Sequence, residues 1–335
     1  MRNRTVRLAR RPTGLPGPDT WAIADEPAPE PGEGEVLVEV KAISLDPAMR
    51  GWLDEGKSYI PPVAVGDVMR ASGAGVVLAS RDARWKPGDP VMGGFGVQRL
   101  ACVRGKDLEA VDLAIAPFER WLGVLGIPGM TAWFGLFDVG AAQPGETVVV
   151  SAAAGAVGGL VVQLAKRHGC RVVGIAGGPE KCRLVTERLG ADACIDYKAH
   201  AGTGALRAGL AAEAPNGISV YFDNVGGEIL EAAMTLLARR ARVVVCGAIS
   251  GYNDFANIRG PRNYLNLLVQ RARMEGFVVF DYAARYPDAR AEIAKGLADG
   301  SITAVEDVRD GLDSFPAVLT ELYTGGNMGK LVLRP

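Results

Sequence analysis

The chain has 335 residues, of which 48% are hydrophobic and 22% charged, and its formal net charge is −1. This length suits two domains with a large core. The balanced charge, with no run of basic residues, gives no indication of nucleic-acid binding or of attachment to a membrane surface. No apolar segment follows the basic N-terminus before Pro12, so no secretory signal is expected.

Cysteine and histidine content argues against disulfides and metal sites. The five cysteines are odd in number and widely scattered, which predicts reduced, mostly buried thiols in a cytoplasmic protein. They are Cys102, Cys170, Cys182, Cys194 and Cys246. The two histidines, His168 and His200, lie in no Cys/His cluster with metal-ligand spacing, so we expect no metal ligands and no zinc.

Short strands broken by glycine and proline are predicted from Val36 to about Val111. Residues 35–42 alternate in polarity, and residues 73–79 form a strand of small side chains. This pattern predicts an irregular β domain. Two helical patterns follow between Phe118 and Gly140.

A β-branched run at residues 147–150 precedes a segment of alanine and glycine, which leads into an amphipathic helix. Ala153, Gly155 and Gly158 have the spacing of a G-x-G-x-x-G turn, with alanine at the first place. Such a turn lets a pyrophosphate approach a helix N-terminus. The alternatives are a buried strand–helix pair without a ligand and a membrane span, and the change of composition at mid-length disfavours the span.

Strands continue to alternate with helices after this turn. We predict strands at residues 171–176, 193–197, 218–225, 243–248 and 276–280, and helices that include residues 179–189 and 228–239. Six such strands predict a doubly wound parallel sheet that binds its ligand at the carboxyl ends of the strands. A helix at 316–323 and a strand at 329–333 follow, and we expect this strand to return to the first domain.

The end of the second parallel strand indicates which nicotinamide cofactor binds. NAD sites usually have an acid there, whereas this strand ends in Ala176, Gly177 and Gly178. Lys181 follows at the start of the next helix, where a cation can reach a 2′-phosphate, so we predict NADPH. The alternative is that Lys181 is a solvated surface lysine.

Six motifs carry a family resemblance over nearly the whole length. Residues 45–51 resemble D-P-x-M-R, 58–62 resemble S-Y-x-P-P, 128–136 resemble P-G-x-T-A-Y-x-G-L, and 246–253 resemble C-G-x-I-S-x-Y-N. The glycine turn resembles A-A-x-G-A-V-G, and residues 327–330 resemble N-x-G-K. The chain therefore resembles the zinc-independent medium-chain dehydrogenases/reductases, in the branch of prostaglandin reductases, plant alkenal double-bond reductases and bacterial NADPH-dependent curcumin reductase.

The resemblance implies a GroES-like irregular β-barrel substrate domain, residues 1–124 and 299–335, and a Rossmann NADPH-binding domain, residues 125–298. It also implies zinc-independent, NADPH-dependent reduction of the carbon–carbon double bond of α,β-unsaturated ketones and aldehydes. A homodimer is expected, with residues 276–280 as a candidate edge strand. An NADPH quinone oxidoreductase and a non-catalytic NADPH-binding protein are the alternatives.

By the same resemblance, Lys181 and Tyr197 hold the 2′-phosphate, and Asn224 and Asn327 contact the nicotinamide half. Phe277 and Val279 are expected to line the nicotinamide pocket, with ordinary strand packing as the alternative. The full expected cofactor set is Met130, Thr131, Ala153, Gly155, Ala156, Val157, Gly158, Gly177, Lys181, Tyr197, Asn224, Cys246, Ala248, Ile249, Tyr252, Phe277, Val279, Asn327 and Gly329.

Tyr252 is the expected catalytic residue. Hydride addition to an enone leaves negative charge on the carbonyl oxygen, and a positioned phenol can donate a hydrogen bond to it. The alternative is that Tyr252 only shapes the pocket wall. Ala48 and Trp133 stand where relatives often have tyrosine, and the expected substrate pocket consists of Ala48, Tyr59, Trp133 and Tyr252.

Asp46 lies near the position at which zinc-dependent relatives carry a cysteine ligand, and this chain has no comparable ligand set there. Asp46 and Arg50 have the appearance of an acid–base pair. A hydride-transfer mechanism requires neither, so we expect them to form a structural ion pair.

Overall fold

The computed structural model describes residues 1–56, 58–200, 202–258 and 260–335. These residues form two compact units. The first consists of Met1–Gly123 and Glu306–Pro335, and the second of Val124–Val305.

Strands and helices are numbered in chain order. The strands are β1 (Arg2–Leu8), β2 (Trp21–Pro27), β3 (Glu35–Ser44), β4 (Ser72–Ser80), β5 (Pro90–Gly94), β6 (Leu100–Arg104), β7 (Glu109–Ala110), β8 (Thr147–Ser151), β9 (Arg171–Ala176), β10 (Ala193–Asp196), β11 (Ile218–Asp223), β12 (Leu237–Val245), β13 (Arg273–Gly276), β14 (Glu306–Asp310) and β15 (Lys330–Arg334). The helices are α1 (Phe118–Leu122), α2 (Ile127–Phe134), α3 (Ala156–Arg167), α4 (Pro179–Arg183), α5 (Thr203–Glu213), α6 (Gly227–Met234), α7 (Leu265–Gln270), α8 (Tyr286–Ala298) and α9 (Phe315–Thr324).

The first unit is built on a mainly antiparallel sheet, with strand order β14-β15-β3-β4-β5-β7 and with β6 paired to β3. Alternate residues of β3, among them Val36, Val38 and Val40, are buried because successive side chains of a strand point to opposite faces. The strand β15 pairs antiparallel with β3, as Val332 lies opposite Ser44. The predicted return of the C-terminal strand to the first domain is therefore confirmed.

The second unit contains a parallel sheet with strand order β10-β9-β8-β11-β12-β13 among the described residues. Relative to its first strand, β8, this is the order 3-2-1-4-5-6 of a doubly wound dinucleotide-binding sheet. All residues of β8 are buried, as expected for a strand covered on both faces. The predicted fold class, a doubly wound parallel sheet with a second β-rich domain, is confirmed.

Several predicted elements of the second unit have different bounds, and the strand predicted at 243–248 spans Leu237–Val245. Helix α6 ends at Met234 instead of 239, and Leu237 begins β12, where it lies opposite Ile218 of β11. The strand predicted at 276–280 ends at Gly276, because its partner β12 ends at Val245. A 3₁₀ helix, Val279–Arg285, follows.

The predicted ion pair between Asp46 and Arg50 is wrong. Asp46 pairs with Lys330 at 2.8 Å, and Arg50 pairs with Asp54 at 2.7 Å. The Lys330 ammonium also donates to the carbonyl of Leu45 at 2.8 Å, so it joins β15 to the chain after β3. Only 3% of the Lys330 side chain is exposed. This ammonium depends on these partners because it is shielded from water.

Two further points of the sequence analysis concern the burial of the cysteines and the alternative of a membrane span. All five cysteines are free, but only Cys170 is fully buried and the other four are half-buried, so the expectation that most are buried is wrong. Within the described ranges, we find no helix whose length and apolar character suffice to cross a bilayer.

Replacing Lys330 by methionine is expected to lower the free energy of unfolding by about 2 kcal/mol, because Asp46 and the Leu45 carbonyl lose a shielded partner. Chemical denaturation followed by tryptophan fluorescence measures the change. Lys295→Met, which removes an exposed pair with Glu292, is the control and is expected to cost less than about 0.5 kcal/mol. Equal effects of the two substitutions contradict the prediction.

Candidate functional site

The turn between β8 and α3 brings two backbone segments close together. Ala152 adopts a left-handed conformation with φ of 49°, and Gly155 is the residue that precedes α3. A Cβ atom on Gly158 would lie 2.3 Å from the Ala152 carbonyl oxygen, so no side chain fits there. Gly155 has no side chain to cap the helix, which leaves the N–H groups of Ala156 and Val157 in place to bind an anion.

At the end of β9, two side chains occupy the space that the acidic side chain of an NAD site would take. A Cβ atom on Gly177 would lie 2.8 Å from Tyr197 Cε1, 3.0 Å from Tyr197 Oη and 3.0 Å from Lys198 Cε. The phenol of Tyr197 and the aliphatic stem of Lys198 therefore occupy the space beside Gly177. Lys181 is half-buried in the first turn of α4. Cations near this position favour a 2′-phosphate over a free ribose hydroxyl.

Asp196 holds the backbone around Gly177 in place. Its Oδ1 accepts the N–H of Gly178 at 2.8 Å and the N–H of Lys198 at 3.0 Å. These backbone hydrogen bonds, first that of Gly178, lower the pKa of the Asp196 carboxyl. Lys198 is not among the site residues predicted from the sequence, although it follows Tyr197 directly at the end of a strand.

The carboxyl ends of β8 and β11 meet through buried polar groups. Asn224 follows β11, and it donates its backbone N–H to Ser151 Oγ at 2.8 Å and its side-chain amide to the Ser151 carbonyl at 2.7 Å. Asp223 is buried, which raises the pKa of its carboxyl. Its carbonyl accepts the N–H groups of Cys246 and Gly247, so the segment after β12 starts beside Asn224. Burial also raises the pKa of the Cys246 thiol, to about 12.

Tyr252 folds back onto this same segment. It follows a 3₁₀ helix, Ile249–Gly251, and its phenol oxygen accepts the N–H of Ala248 at 3.2 Å. A Cβ atom on Gly247 would lie 2.9 Å from that oxygen, so the glycine provides the space that the hydroxyl occupies. The structure thus brings Tyr252, Ala248, Cys246 and Asn224 together at one edge of the sheet.

The other residues predicted in the second unit have packing contacts. Met130 is buried in α2, and Thr131 donates to the Ile127 carbonyl at 2.7 Å. A Cβ atom on Gly135 would lie 2.8 Å from Phe277 Cζ, so the Phe277 ring packs against this glycine. Val279 is buried.

The Trp133 ring belongs to an aromatic row that leads away from the glycine turn. It packs on Phe137 with ring centroids 4.8 Å apart, and Phe137 packs on His168, which ends α3, at 5.1 Å. The glycine turn lies at the opposite end of α3. The substrate contact predicted for Trp133 stays a prediction.

Four predicted residues belong to the first unit. Ala48 is half-buried in the 3₁₀ helix Pro47–Leu53, and the side chain of Tyr59 is largely exposed. Gly329 is buried with φ of 69°, and Asn327 donates its side-chain amide to the Gly329 carbonyl at 3.2 Å. Their roles toward cofactor and substrate stay predictions.

A glycine turn after the first strand of a sheet with this order defines a dinucleotide-binding protein. Two sequence profiles match the chain, one described as the N-terminal domain of oxidoreductase, over residues 4–111, and one as zinc-binding dehydrogenase, over residues 156–295.

Curated relatives and solved structures match over almost the whole chain. The NADPH-dependent curcumin reductase of Escherichia coli is 41% identical, covering 99% of this chain and 97% of that protein. The NADP-dependent 2-alkenal reductase of Nicotiana tabacum is 38% identical, with the same shares covered. The crystal structure of CurA in complex with NADPH from Vibrio vulnificus is similar with a TM-score of 0.92 and 40% identity, covering 99% of this chain and 98% of that one. The chain belongs to the medium-chain dehydrogenase/reductase superfamily, in the branch of the curcumin, alkenal and prostaglandin reductases.

We expect Gly177→Ala to weaken NADPH binding about tenfold, because the added methyl group displaces Tyr197 and Lys198 while the fold stays intact. Fluorescence titration of NADPH measures the change. The matched control is Gly204→Ala in α5, since a Cβ atom there meets nothing within 4 Å. Unchanged affinity in Gly177→Ala contradicts the assignment of this site.

Proposed function

We propose that the chain is an NADPH-dependent reductase of the carbon–carbon double bond of α,β-unsaturated ketones and aldehydes. The observation that carries the proposal is the Tyr252 hydroxyl, held by Ala248 at the same sheet edge as Asn224, in a chain with alkenal and curcumin reductases among its relatives. Such a hydroxyl suits a reaction in which negative charge develops on a carbonyl oxygen.

The proposed cofactor site lies along the carboxyl ends of the parallel strands. The backbone from Ala156 to Gly158 would bind the pyrophosphate, since these residues form the first turn of α3, where N–H groups have no partner within the helix. Lys181, Tyr197 and, in addition, Lys198 would bind the 2′-phosphate. The nicotinamide half would lie against Asn224 and the segment from Cys246 to Tyr252, with Phe277 and Val279 as further contacts.

When bound, the cofactor supplies a hydride to the substrate's β-carbon. Tyr252 would donate its O–H to the carbonyl oxygen of the substrate and so stabilise the enolate that forms. The Ala248 N–H bonds to the phenol oxygen and orients the ring for this donation. The ring also stacks on Phe255, with centroids 5.9 Å apart, which restricts its rotation.

We further propose that the reaction needs no zinc. Asp46 stands near the place of a cysteine ligand, and its carboxylate already binds the Lys330 ammonium and the Ser44 hydroxyl. A second cation does not fit this pair. The residues of the described ranges include no group of three or more potential His, Cys, Asp or Glu ligands.

We expect Tyr252→Phe to lower kcat for an aryl enone at least tenfold, with little change in KM for NADPH, because the donor to the developing oxyanion is lost. NADPH and NADH oxidation is measured with a short enal, an aryl enone and a quinone. Tyr264→Phe, which removes an exposed phenol hydroxyl, is the control. Turnover of the quinone alone supports the quinone oxidoreductase instead, and tight NADPH binding without turnover supports a non-catalytic protein.

We propose a homodimer that forms through β13, the outermost strand of the parallel sheet. The strand β13 ends the sheet order, and the preceding helix α7 exposes Leu265, Leu268 and Val269, with 74% of Leu268 accessible. An edge strand beside exposed apolar side chains is suited to pairing with a second copy. The cytoplasmic location stays a prediction.

Leu268→Glu is expected to convert a dimer into a monomer, because a charge would have to be buried in the interface. Light scattering after size-exclusion chromatography reports the mass. Ile115→Glu, at an exposed apolar position of the first unit, is the control and is expected to remain dimeric. A monomeric wild-type protein contradicts the proposed interface.

A further inference from the structure

The last residues of β8 and β11 form a buried hydrogen-bond network. Ser151 and Asp223 are 0% and 1% exposed. Asp223 Oδ1 accepts hydrogen bonds from Ser151 Oγ at 3.1 Å, from Tyr221 Oη at 3.0 Å, and from the N–H groups of Val225 and Gly226 at 3.1 and 3.0 Å. A single oxygen of the Asp223 carboxylate therefore connects the end of β8 with the turn that follows β11.

Asn224 is fixed by this network at two points. Ser151 Oγ accepts its backbone N–H, and the Ser151 carbonyl accepts its side-chain amide. The Ser151 hydroxyl thus lies between the two residues: it donates to the Asp223 carboxylate and accepts the backbone N–H of Asn224. Removing the hydroxyl leaves the Asn224 N–H without its partner, in a place that the buried Ser151 shields from water.

The network extends to the segment that carries Tyr252. Val225, whose N–H bonds to Asp223, accepts the Ser250 hydroxyl at 2.6 Å and the Ser250 N–H at 3.2 Å through its carbonyl. The Asp223 carbonyl accepts Cys246 and Gly247. The carboxylate of Asp223 therefore holds the turn at Val225, and the backbone carbonyls of Asp223 and Val225 in turn hold the segment that carries Tyr252.

We propose that Ser151 and Asp223 are positioning residues for the nicotinamide half of the cofactor, acting through Asn224 without touching the cofactor themselves. The inference rests on the proposed function, since it takes Asn224 as a nicotinamide contact. It separates the site into two parts, because the network joins β8 and β11, whereas Lys181 lies in α4 and the side chains of Tyr197 and Lys198, which follow β10, lie against Gly177 after β9.

The test compares two ligands of the intact protein in the absence of substrate. NADPH occupies both parts of the site, whereas 2′,5′-ADP has the adenine and the 2′-phosphate without the nicotinamide. Ser151→Ala is expected to raise Kd for NADPH about tenfold and to leave Kd for 2′,5′-ADP within about twofold, because only the nicotinamide part loses its support. Isothermal titration calorimetry measures both constants.

A rescue series separates the role of the acceptor from that of the charge. Asp223→Asn keeps an oxygen in the place of Oδ1, so Kd for NADPH is expected to stay within about threefold of the wild type, whereas Asp223→Ala is expected to exceed the effect of Ser151→Ala. The matched control for Ser151→Ala is Ser80→Ala in the first unit. It removes a hydroxyl that donates to the backbone carbonyl of Asp82 and accepts the backbone N–H of the same residue.

Equal weakening of NADPH and 2′,5′-ADP by Ser151→Ala, with a lowered thermal midpoint, assigns the serine a purely structural role and overturns the proposal. Unchanged affinity for both ligands overturns it as well. The proposed function fails separately, when the wild type binds NADPH and reduces no enone. In that case the ratio of the two affinities still decides the role of Ser151.

Discussion

A hydrogen bond between the buried Ser151 hydroxyl and the buried Asp223 carboxylate joins the first and fourth strands of the dinucleotide-binding sheet at their carboxyl ends. Several features proposed to bind the cofactor start at this hydrogen bond. The glycine turn begins at the residue after Ser151, Asn224 follows Asp223, and the segment of Tyr252 starts on the Asp223 carbonyl. Because water does not reach these two side chains, a wrong arrangement leaves polar groups unpaired, which selects a single conformation for the whole edge.

Much of the secondary structure of the second unit can be predicted from local sequence patterns. The strand β9 has the predicted bounds, because a β-branched run between a helix end and two glycines leaves little choice. The predicted bounds are wrong where pairing between strands that are distant in the sequence determines the secondary structure. Leu237–Arg240 has helical neighbours and long side chains, yet it forms the start of β12 because β11 offers a partner. The apolar residues after Gly276 have strand composition, but β12 has already ended.

The candidate site is predictable to a similar extent, and for similar reasons. The absence of an acid at Gly177 is visible in the sequence, whereas the packing of the Tyr197 and Lys198 side chains against that glycine requires the fold. Lys198 resembles any exposed lysine at the end of a strand. The partner of Asp46 is 284 residues away in the chain, and within four residues of Asp46 the sequence offers only Arg50 as a cation for this carboxylate.

The pairing of β15 with β3 has a consequence for biosynthesis. The strand β15 lies between β14 and β3 in the first unit, and all residues of the second unit precede it in the chain. On the ribosome, the second unit is therefore synthesised in full before the sheet of the first unit is complete, and its local strand–helix contacts form while the first unit still lacks an inner strand. Until Lys330 and the residues after it emerge, Ile43 and Ser44 of β3 lack the strand that later pairs with them, and an unpaired strand end can pair with another chain.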